Sequence, residues 1–272
     1  MKKIHTAIKY APLFAGSLLV FASCEHKDLC FDHDIHAPKS EVDVEARYEQ
    51  EWQYTYEGAT DWKIYPTWKE SFGMEYEELR PGIPAGLRAL VYNSDGSSDI
   101  INMASEGEVV YMRPGNHALL FYNNDTEYIV FDEMQSMASA RATTRTRTRA
   151  SYTGNAFMGS EQENTVSQPD MLYGSHIDSY FVERNTVATS LSITMQPLVF
   201  TYLIRYEFSH GLEYVALARG ALAGMAEAVM MNTGRTSKEA ATILYDCTIE
   251  GFGPQALIRS FGVPDFPNSH YG

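Results

Sequence analysis

The sequence predicts an all-β protein made of two β-sandwich domains in tandem. Short apolar runs recur at a spacing of about ten residues, and clusters of Gly, Pro, Asn, Asp and Ser separate them. The chain has 272 residues, of which 44% are hydrophobic and 12% aromatic, so it is long and apolar enough to form more than one core.

The charge balance excludes one large class of partners. Acidic residues number 35 and basic residues 21, giving a formal net charge of −14 without a Lys/Arg-dense face. Because nucleic-acid binding depends largely on basic residues that neutralise phosphates, we do not expect a nucleic-acid partner. Beyond the N-terminus, no apolar stretch reaches the about 18 residues that a membrane-spanning helix requires.

Residues 1–23 are typical of an export signal, with three lysines followed by an apolar run from 11 to 22. The end of this run, Phe21-Ala22-Ser23-Cys24, resembles a bacterial lipobox, although Phe21 stands where Leu is commoner. We therefore expect Cys24 to carry lipid and to attach the protein to the outer membrane. An ordinary secretory signal with an incidental cysteine is the alternative.

Residues 24–40 lack apolar periodicity and are predicted to form a tether between the lipid and the folded body. The segment Glu25-His26-Lys27-Asp28 loosely resembles the charged tag of surface-exported lipoproteins of the Bacteroidales, which favours the cell surface. Side chains that can bind zinc are dense here, but their spacing matches no zinc motif, so we expect no metal site. These side chains are His26, Cys30, Asp32, His33, Asp34 and His36. A Cys30–Cys247 disulfide is the less favoured alternative to free thiols, because Cys30 lies in the tether.

The first domain, residues 41–185, begins with a predicted strand that turns Val42, Val44 and Ala46 to one face. A run from 87 to 92, the turn Asn93-Ser94-Asp95-Gly96 and a second apolar run predict a hairpin. The alternating oxygen ligands of this turn resemble a calcium loop, but position 104 is Ala where an EF-hand needs Glu, so a plain hairpin is favoured.

Two further β segments follow in the first domain. VVYMRPGNHALLFYNND predicts a second hairpin about Pro114-Gly115, and EYIVFDEM predicts one more strand.

An arginine-rich stretch follows at residues 141–149 and is the first candidate site. As a strand it would show one basic face that balances the acidic body, and as an exposed loop it would bind an anionic partner or be cut by a trypsin-like protease. The candidate residues are Arg141, Arg145, Arg147 and Arg149.

The second domain, residues 186–272, opens with the strand-like run LSITMQPLVFTYLIRYEF. Residues 211–231 are ambiguous, because their Ala and Leu favour a helix whereas Gly220 and Gly224 would each cost about 1 kcal/mol within one. Thr236 and Glu239 form a potential capping box for a short helix to Tyr245. The remaining residues predict a hairpin and a proline-broken tail.

Aromatic residues crowd the segment 52–68 and form the second candidate site. Exposed rings of Trp52, Trp62 and Trp68 would stack on sugars, whereas buried rings would belong to a sandwich core, which is the commoner role. No G-x-S-x-G, H-E-x-x-H or phosphate-loop motif is present, so we expect neither an enzyme nor a bound cofactor.

Several long segments resemble an uncharacterised lipoprotein family of gut Bacteroidales, and together they cover most of the chain after residue 85. They are LRALVYNSDGSSDIIN, LLFYNNDTEYIVFD, TTRTRTR, PDMLYG, TMQPLVFTYLIRYEFSHGLEYVALARGALAGMA and ILYDCTIEGFGPQALIRSFGVPDFP. That family is similar in layout to the fimbrillin and fimbrial anchor superfamily. The resemblance implies two tandem transthyretin-like β-sandwiches and a strand, not a helix, at ALAGMAEAVMM.

The resemblance implies a fimbrial anchor, minor pilin or adhesion module that assembles with pilin subunits, and the alternative is a surface glycan-binding lipoprotein. The second domain is short and ends without a closing strand. It is therefore either truncated or open to a strand from a neighbouring subunit.

Overall fold

The structure is a computed structural model that describes residues 39–50, 69–70, 73–148, 164–184 and 187–265. About half of these residues lie in strands and few lie in helices, so the predicted all-β fold is confirmed. Within these ranges, no helix is long and apolar enough to cross a membrane. The elements are β1 (Ser40–Tyr48), α1 (Tyr76–Leu79), β2 (Gly86–Asn93), β3 (Ser98–Ala104), β4 (Val109–Met112), β5 (Gly115–Asn123), β6 (Ile129–Asp132), β7 (Arg141–Thr144), β8 (Thr165–Val166), β9 (Tyr173–Val182), β10 (Thr189–Pro197), β11 (Phe200–Arg205), a 3₁₀ turn (Leu212–Tyr214), β12 (Arg219–Ala226), β13 (Ala228–Met230), β14 (Ala240–Asp246), β15 (Thr248–Glu250) and β16 (Gly253–Ser260).

The largest sheet has seven strands in the order β3-β2-β5-β9-β10-β1-β4. All neighbours are antiparallel except β1 and β10, which pair in parallel over seven residues. β9 and β10 are joined by only two residue pairs, at Gln196 and Pro197, so the sheet is weakly connected at this point. Side chains from the two halves, β3-β2-β5-β9 and β10-β1-β4, pack together in one cluster, the first core.

The first core confirms the predicted face of β1. Val42 and Val44 are buried, and Ala46 packs against the same cluster. Their partners on the other half include Leu87, Leu119 and Phe121, which alternate along β2 and β5 as a pleated strand requires.

The hairpin predicted for residues 86–103 is confirmed, but the second predicted hairpin, about Pro114-Gly115, is wrong. β2 and β3 pair in register from Gly86 to Tyr92, and Gly96 takes a left-handed conformation in the turn. β4 and β5 do not pair: β4 adds to β1, whereas β5 lies between β2 and β9. Val110 and Met112 of β4 are buried in the first core, and this burial requires β4 to cross to the other half of the sheet.

β2 and β5 are buried on both faces, because a second cluster lies on their other side. This middle core joins Leu90 and Leu120 to a three-stranded sheet in the order β13-β7-β6 and to Leu198, Met231 and Phe261. Burial on both faces explains why these two strands are continuous apolar runs rather than alternating ones.

A third cluster, the terminal core, lies between two further three-stranded sheets, β12-β14-β8 and β11-β16-β15. Its buried members include Ile243 and Tyr245 of β14 and Ile258 of β16. The first core includes residues of β10, whereas Val166 of β8 packs in the terminal core. The limits of the two predicted domains stay a prediction.

The helix predicted between Thr236 and Tyr245 is wrong, because residues 240–246 form the buried strand β14. It has five consecutive buried positions, and Ala241, Ile243 and Tyr245 among them pack in the terminal core. This burial stabilises the strand by more than helix capping would stabilise a helix. The strand implied by the resemblance at ALAGMA is confirmed as β12. Gly224 adopts a positive φ at an irregularity between Leu222 and Met225, and Gly220 lies directly against the Tyr245 ring.

Candidate functional site

The first half of the arginine-rich stretch is a strand, not a loop. Residues 141–144 form β7, the central strand between β6 and β13. Ala142 and Thr144 are buried on the core side, whereas Arg141 and Thr143 are partly exposed on the other. A paired central strand resists proteolysis, because the protease needs an extended and unpaired backbone.

Arg141 is held by two acidic side chains of the neighbouring turn. Its Nη2 lies 2.6 Å and its Nε 3.0 Å from Oδ2 of Asp132, and Nη2 also lies 3.4 Å from Oε1 of Glu133. The hydrogen bond from Arg141 lowers the pKa of the Asp132 carboxyl. An anionic ligand at Arg141 would therefore have to compete with carboxylates that are already in place.

The next two arginines also have partners within the protein. The Arg145 guanidinium lies 6.0 Å from the centroid of the Tyr128 ring. Arg147 donates to the carbonyl of Leu244 at 3.4 Å and lies 3.5 Å from a carboxylate oxygen of Asp246. These contacts are those of a basic surface that balances acidic neighbours. Arg149 lies outside the described residues, and the anionic-partner and protease roles of the stretch stay predictions.

The terminal core is closed in its middle and open at its margins. β14 and β16 supply most of its buried side chains, whereas Tyr202, Ile204 and Leu222 pack against it only partly buried. The first two belong to β11 and the third to β12, and among the described residues each of these strands has a strand neighbour on one side. Such edge strands combine unpaired backbone groups with accessible apolar side chains.

The segment that follows β11 adds exposed apolar surface. Tyr206, Phe208, Tyr214 and Leu217 are all exposed, Tyr214 to 84%. The segment is held at its start by hydrogen bonds from the backbone N–H groups of Tyr206 and Phe208 to β16 and to the turn before it. We call β11 and this segment, residues 200–217, the β11 margin. Contiguous exposed apolar side chains of this kind mark interaction surfaces.

The other predicted sites lie largely outside the described residues. This holds for Cys24, for the tether cluster with Cys30, and for Trp52, Trp62 and Trp68. Cys247 is described and has a free thiol, whose pKa is raised by burial and by Asp246.

Metal-binding geometry is not found in the part of the chain that the structure describes, where no three His, Cys, Asp or Glu side chains converge. The loop at residues 93–99 is the plain hairpin turn that was favoured. Asn93 donates to Ser97 and Asp99, and Asp95 accepts from the backbone N–H of Ser97.

A cleft that the sequence did not indicate lies beside β11. Its lining residues come from the segments around 78–84, 123–128, 168–173 and 257–259, together with Thr201. No local motif signals a site assembled from segments this far apart, although the conspicuous PDMLYG segment contributes Pro169, Asp170 and Met171.

The fold and surface can now be set beside known proteins. The family described as "Domain of unknown function (DUF5119)" matches residues 73–246. The chain belongs to this family. The match extends from the segment before α1 through β14 and so includes strands of all three cores.

A curated protein of Bacteroides ovatus, the "Putative fimbrium anchoring subunit Fim4B", is 27% identical over 224 residues. The alignment covers 81% of this chain but 55% of that protein, so the DUF5119 chain spans about half the length of the relative.

Two crystal structures share the fold. One, described as a "putative adhesin from Bacteroides ovatus ATCC 8483", is 21% identical with a TM-score of 0.59, over 87% of this chain and 72% of that one. The other, described as "putative polysaccharide binding proteins (DUF1812)" from Bacteroides thetaiotaomicron, is 6% identical with a TM-score of 0.50, over 81% and 71%. Both support the β-sandwich fold alone. The three relatives are described as an anchoring subunit, an adhesin and polysaccharide-binding proteins, and none of these descriptions names an enzyme.

Proposed function

We propose that this DUF5119 protein is a lipid-anchored subunit of a surface fimbrium. Lipid on Cys24 attaches the protein to the membrane, and the β11 margin binds a strand of a pilin subunit. The protein acts as the anchor, a minor pilin or an adhesion module. Its sequence similarity to a fimbrium anchoring subunit supports this role, and its chemistry is protein–protein assembly rather than catalysis.

The observation that carries the proposal is the incomplete coverage of the terminal core at β11. Tyr202 and Ile204 face this core yet stay partly exposed, and β16 is the only neighbour of β11 among the strands that the structure describes. An added strand would pair with the free backbone groups of β11 and cover these side chains at the same time.

The proposal is tested by purifying the intact lipoprotein from native membranes and identifying co-purifying proteins. Wild-type protein should capture pilin subunits, and Ile204→Lys should lose most of them, because a charge replaces the apolar contact. Ile249→Lys is the matched control, since Ile249 lies on β15, at the opposite edge of the same sheet. Equal capture by all three proteins, or no pilin with any of them, would contradict docking at β11.

The lipid anchor has its own test. Cells grown with an alkyne-bearing fatty acid should label the wild-type protein and leave Cys24→Ala unlabelled and released from the membrane fraction. Labelling of the variant would place the lipid elsewhere.

Surface glycan binding is the second candidate function. It is favoured by the fold shared with the polysaccharide-binding proteins and by the polar cleft beside β11. A binding screen against acidic and neutral polysaccharides tests it directly, and an absence of saturable binding to any of them would remove it.

A further inference from the structure

The cleft beside β11 consists of two adjoining cavities of about 330 and about 220 Å³. They share Asp170, Met171 and Arg259 as lining residues. Together they fall in the range of about 300 to 1,000 Å³ that is typical of small-molecule sites, enough for one or two sugar rings.

The cleft contains the arginine Arg259, whose guanidinium could pair with an anionic ligand. Arg259, on β16, is exposed, and its guanidinium forms no ion pair with a described carboxylate. Arg80 lines the larger cavity and is positioned by Glu77, whose carboxylate lies 2.8 Å from Nη1. A guanidinium recognises a carboxylate through two parallel hydrogen bonds, which a neutral sugar cannot accept.

Two of the three acidic residues that line the cleft are fixed by backbone N–H groups, and the third is Glu78. Asp170 accepts from the amides of Glu127 and Tyr128, and Asp125 accepts from the amide of Ala85. Each carboxylate keeps lone pairs beyond these bonds, because an ionised carboxylate has about four acceptor sites. Such groups accept hydrogen bonds from ligand hydroxyls, and they shape the cleft without neutralising Arg259.

Two tyrosines complete the site. Tyr128 lines the larger cavity with a ring that is 39% exposed, and such a ring packs on the apolar face of a sugar. Tyr173 lines the smaller cavity and is 0% exposed, and its hydroxyl has no hydrogen-bond partner among the described residues. A buried hydroxyl without a partner is costly, so a polar ligand that reached it would gain from the contact.

We propose that this cleft binds a uronic acid unit of an acidic polysaccharide. Arg259 receives the carboxylate, the sugar hydroxyls bond to Asp170 and Tyr173, and the ring packs on Tyr128. The inference rests on the second candidate function and deepens it, since it names the sugar class and binding residues other than Trp52, Trp62 and Trp68.

The test is calorimetric titration of the purified protein with tri-galacturonic acid and with its fully methyl-esterified form. The two probes share the same rings and differ only in whether the carboxyl groups are charged carboxylates or neutral methyl esters. We expect saturable binding of the acid and at least tenfold weaker binding of the ester. Arg259→Gln should weaken binding of the acid by about tenfold or more, and Tyr173→Phe by several-fold.

Arg184→Gln is the matched control, because Arg184 is exposed and lines neither cavity. It should bind tri-galacturonic acid like the wild type. An equal loss in both arginine variants would indicate attraction to the surface in general and would overturn the proposal.

Three further results would overturn the cleft assignment. They are equal binding of acid and ester, unchanged binding in Arg259→Gln, and capture of a peptide with a free C-terminal carboxylate in place of the saccharide. If Arg259→Gln kept full affinity for the acid, glycan binding would stand and only the cleft would fail. If no polysaccharide bound at all, the second candidate function itself would fail.

Discussion

Gly220 is the position at which a single added methyl group should damage the terminal core. A Cβ built at Gly220 comes closer than 3.0 Å to three atoms of the Tyr245 side chain. Tyr245 is 2% exposed, so its ring has little free space into which it can withdraw. We therefore predict that Gly220→Ala destabilises the protein.

The magnitude follows from overpacking. Forcing a methyl group into a filled core costs about 1–3 kcal/mol, and shifting Tyr245 also disturbs its hydroxyl contact with Tyr206 at 3.2 Å. An unfolded chain has less conformational entropy with alanine than with glycine at this position, and this difference stabilises the folded state by about 0.4–1 kcal/mol. A net loss of about 1 kcal/mol corresponds to a fall in Tm of about 2–4 °C for a chain of this size.

The assay is urea and thermal unfolding followed by circular dichroism, with Gly251→Ala as the control. Gly251 has no neighbouring atom within 4 Å of the position that a Cβ would take, so its substitution should change stability by less than about 0.5 kcal/mol. Tyr245→Leu removes the ring, and in that background Gly220→Ala should cost less. If Gly220→Ala and Gly251→Ala unfold at the same urea concentration, the packing argument is wrong.

Three further predictions concern the arginine-rich stretch and the buried tyrosine. Brief digestion of the native protein with trypsin should spare the bond after Arg141, which lies in β7. Any early cut within the arginine-rich stretch should come after Arg149. A first cut after Arg141, identified by mass spectrometry of early fragments, would contradict the strand. Arg141 lowers the pKa of the Asp132 carboxyl, so Asp132→Asn should remove from the NMR titration a carboxyl resonance that titrates below the usual aspartate pKa. The substitution should also abolish the small loss of folding stability that is expected when acid protonates Asp132. An unchanged NMR titration would refute the Arg141–Asp132 pair. Burial raises the pKa of Tyr173 to about 12, above its value in the unfolded chain. The contribution of the protonated phenol to folding stability is therefore complete below about pH 10 and should fall as the pH rises toward 12. In urea unfolding, Tyr173→Phe should lessen that fall without loss of stability at pH 7, because the Tyr173 hydroxyl has no partner among the described residues.

The elements of this fold were largely predictable, because strand period and turn chemistry are local properties. Val42 and Val44 are two residues apart, and a strand places both on the same face without reference to anything distant. The turn after Asn93 likewise needs only Gly96 in a left-handed conformation.

Pairing between strands was less predictable, because it depends on which apolar faces must be covered. The Pro114-Gly115 pair has the composition of a hairpin turn, yet β4 leaves β5 for β1 because Val110 and Met112 complete the first core. In the same way, Thr236 and Glu239 match a capping box, and burial of β14 overrides it. Tertiary burial of several side chains outweighs a local preference of about 1 kcal/mol.

The candidate sites divide in a similar way. Arg141 stands out by its spacing from the other arginines, but its pairing with Asp132 required the β6–β7 register. Arg259 and Tyr173 carry no signal in the sequence, since they come together only when β16 lies beside the start of β9.

The sequence by itself determined the all-β class, the positions of most strands, the acidic charge and the family resemblance. These properties depend on residue type and on the spacing of near neighbours, and both can be read from the amino-acid sequence. Only the tertiary structure decided that β2 and β5 are buried on both faces, that the terminal core is open at β11, and that Arg259 meets Asp170 and Tyr173 in one cleft. These depend on which distant surfaces exclude water together, and that is settled by the packing of the whole chain.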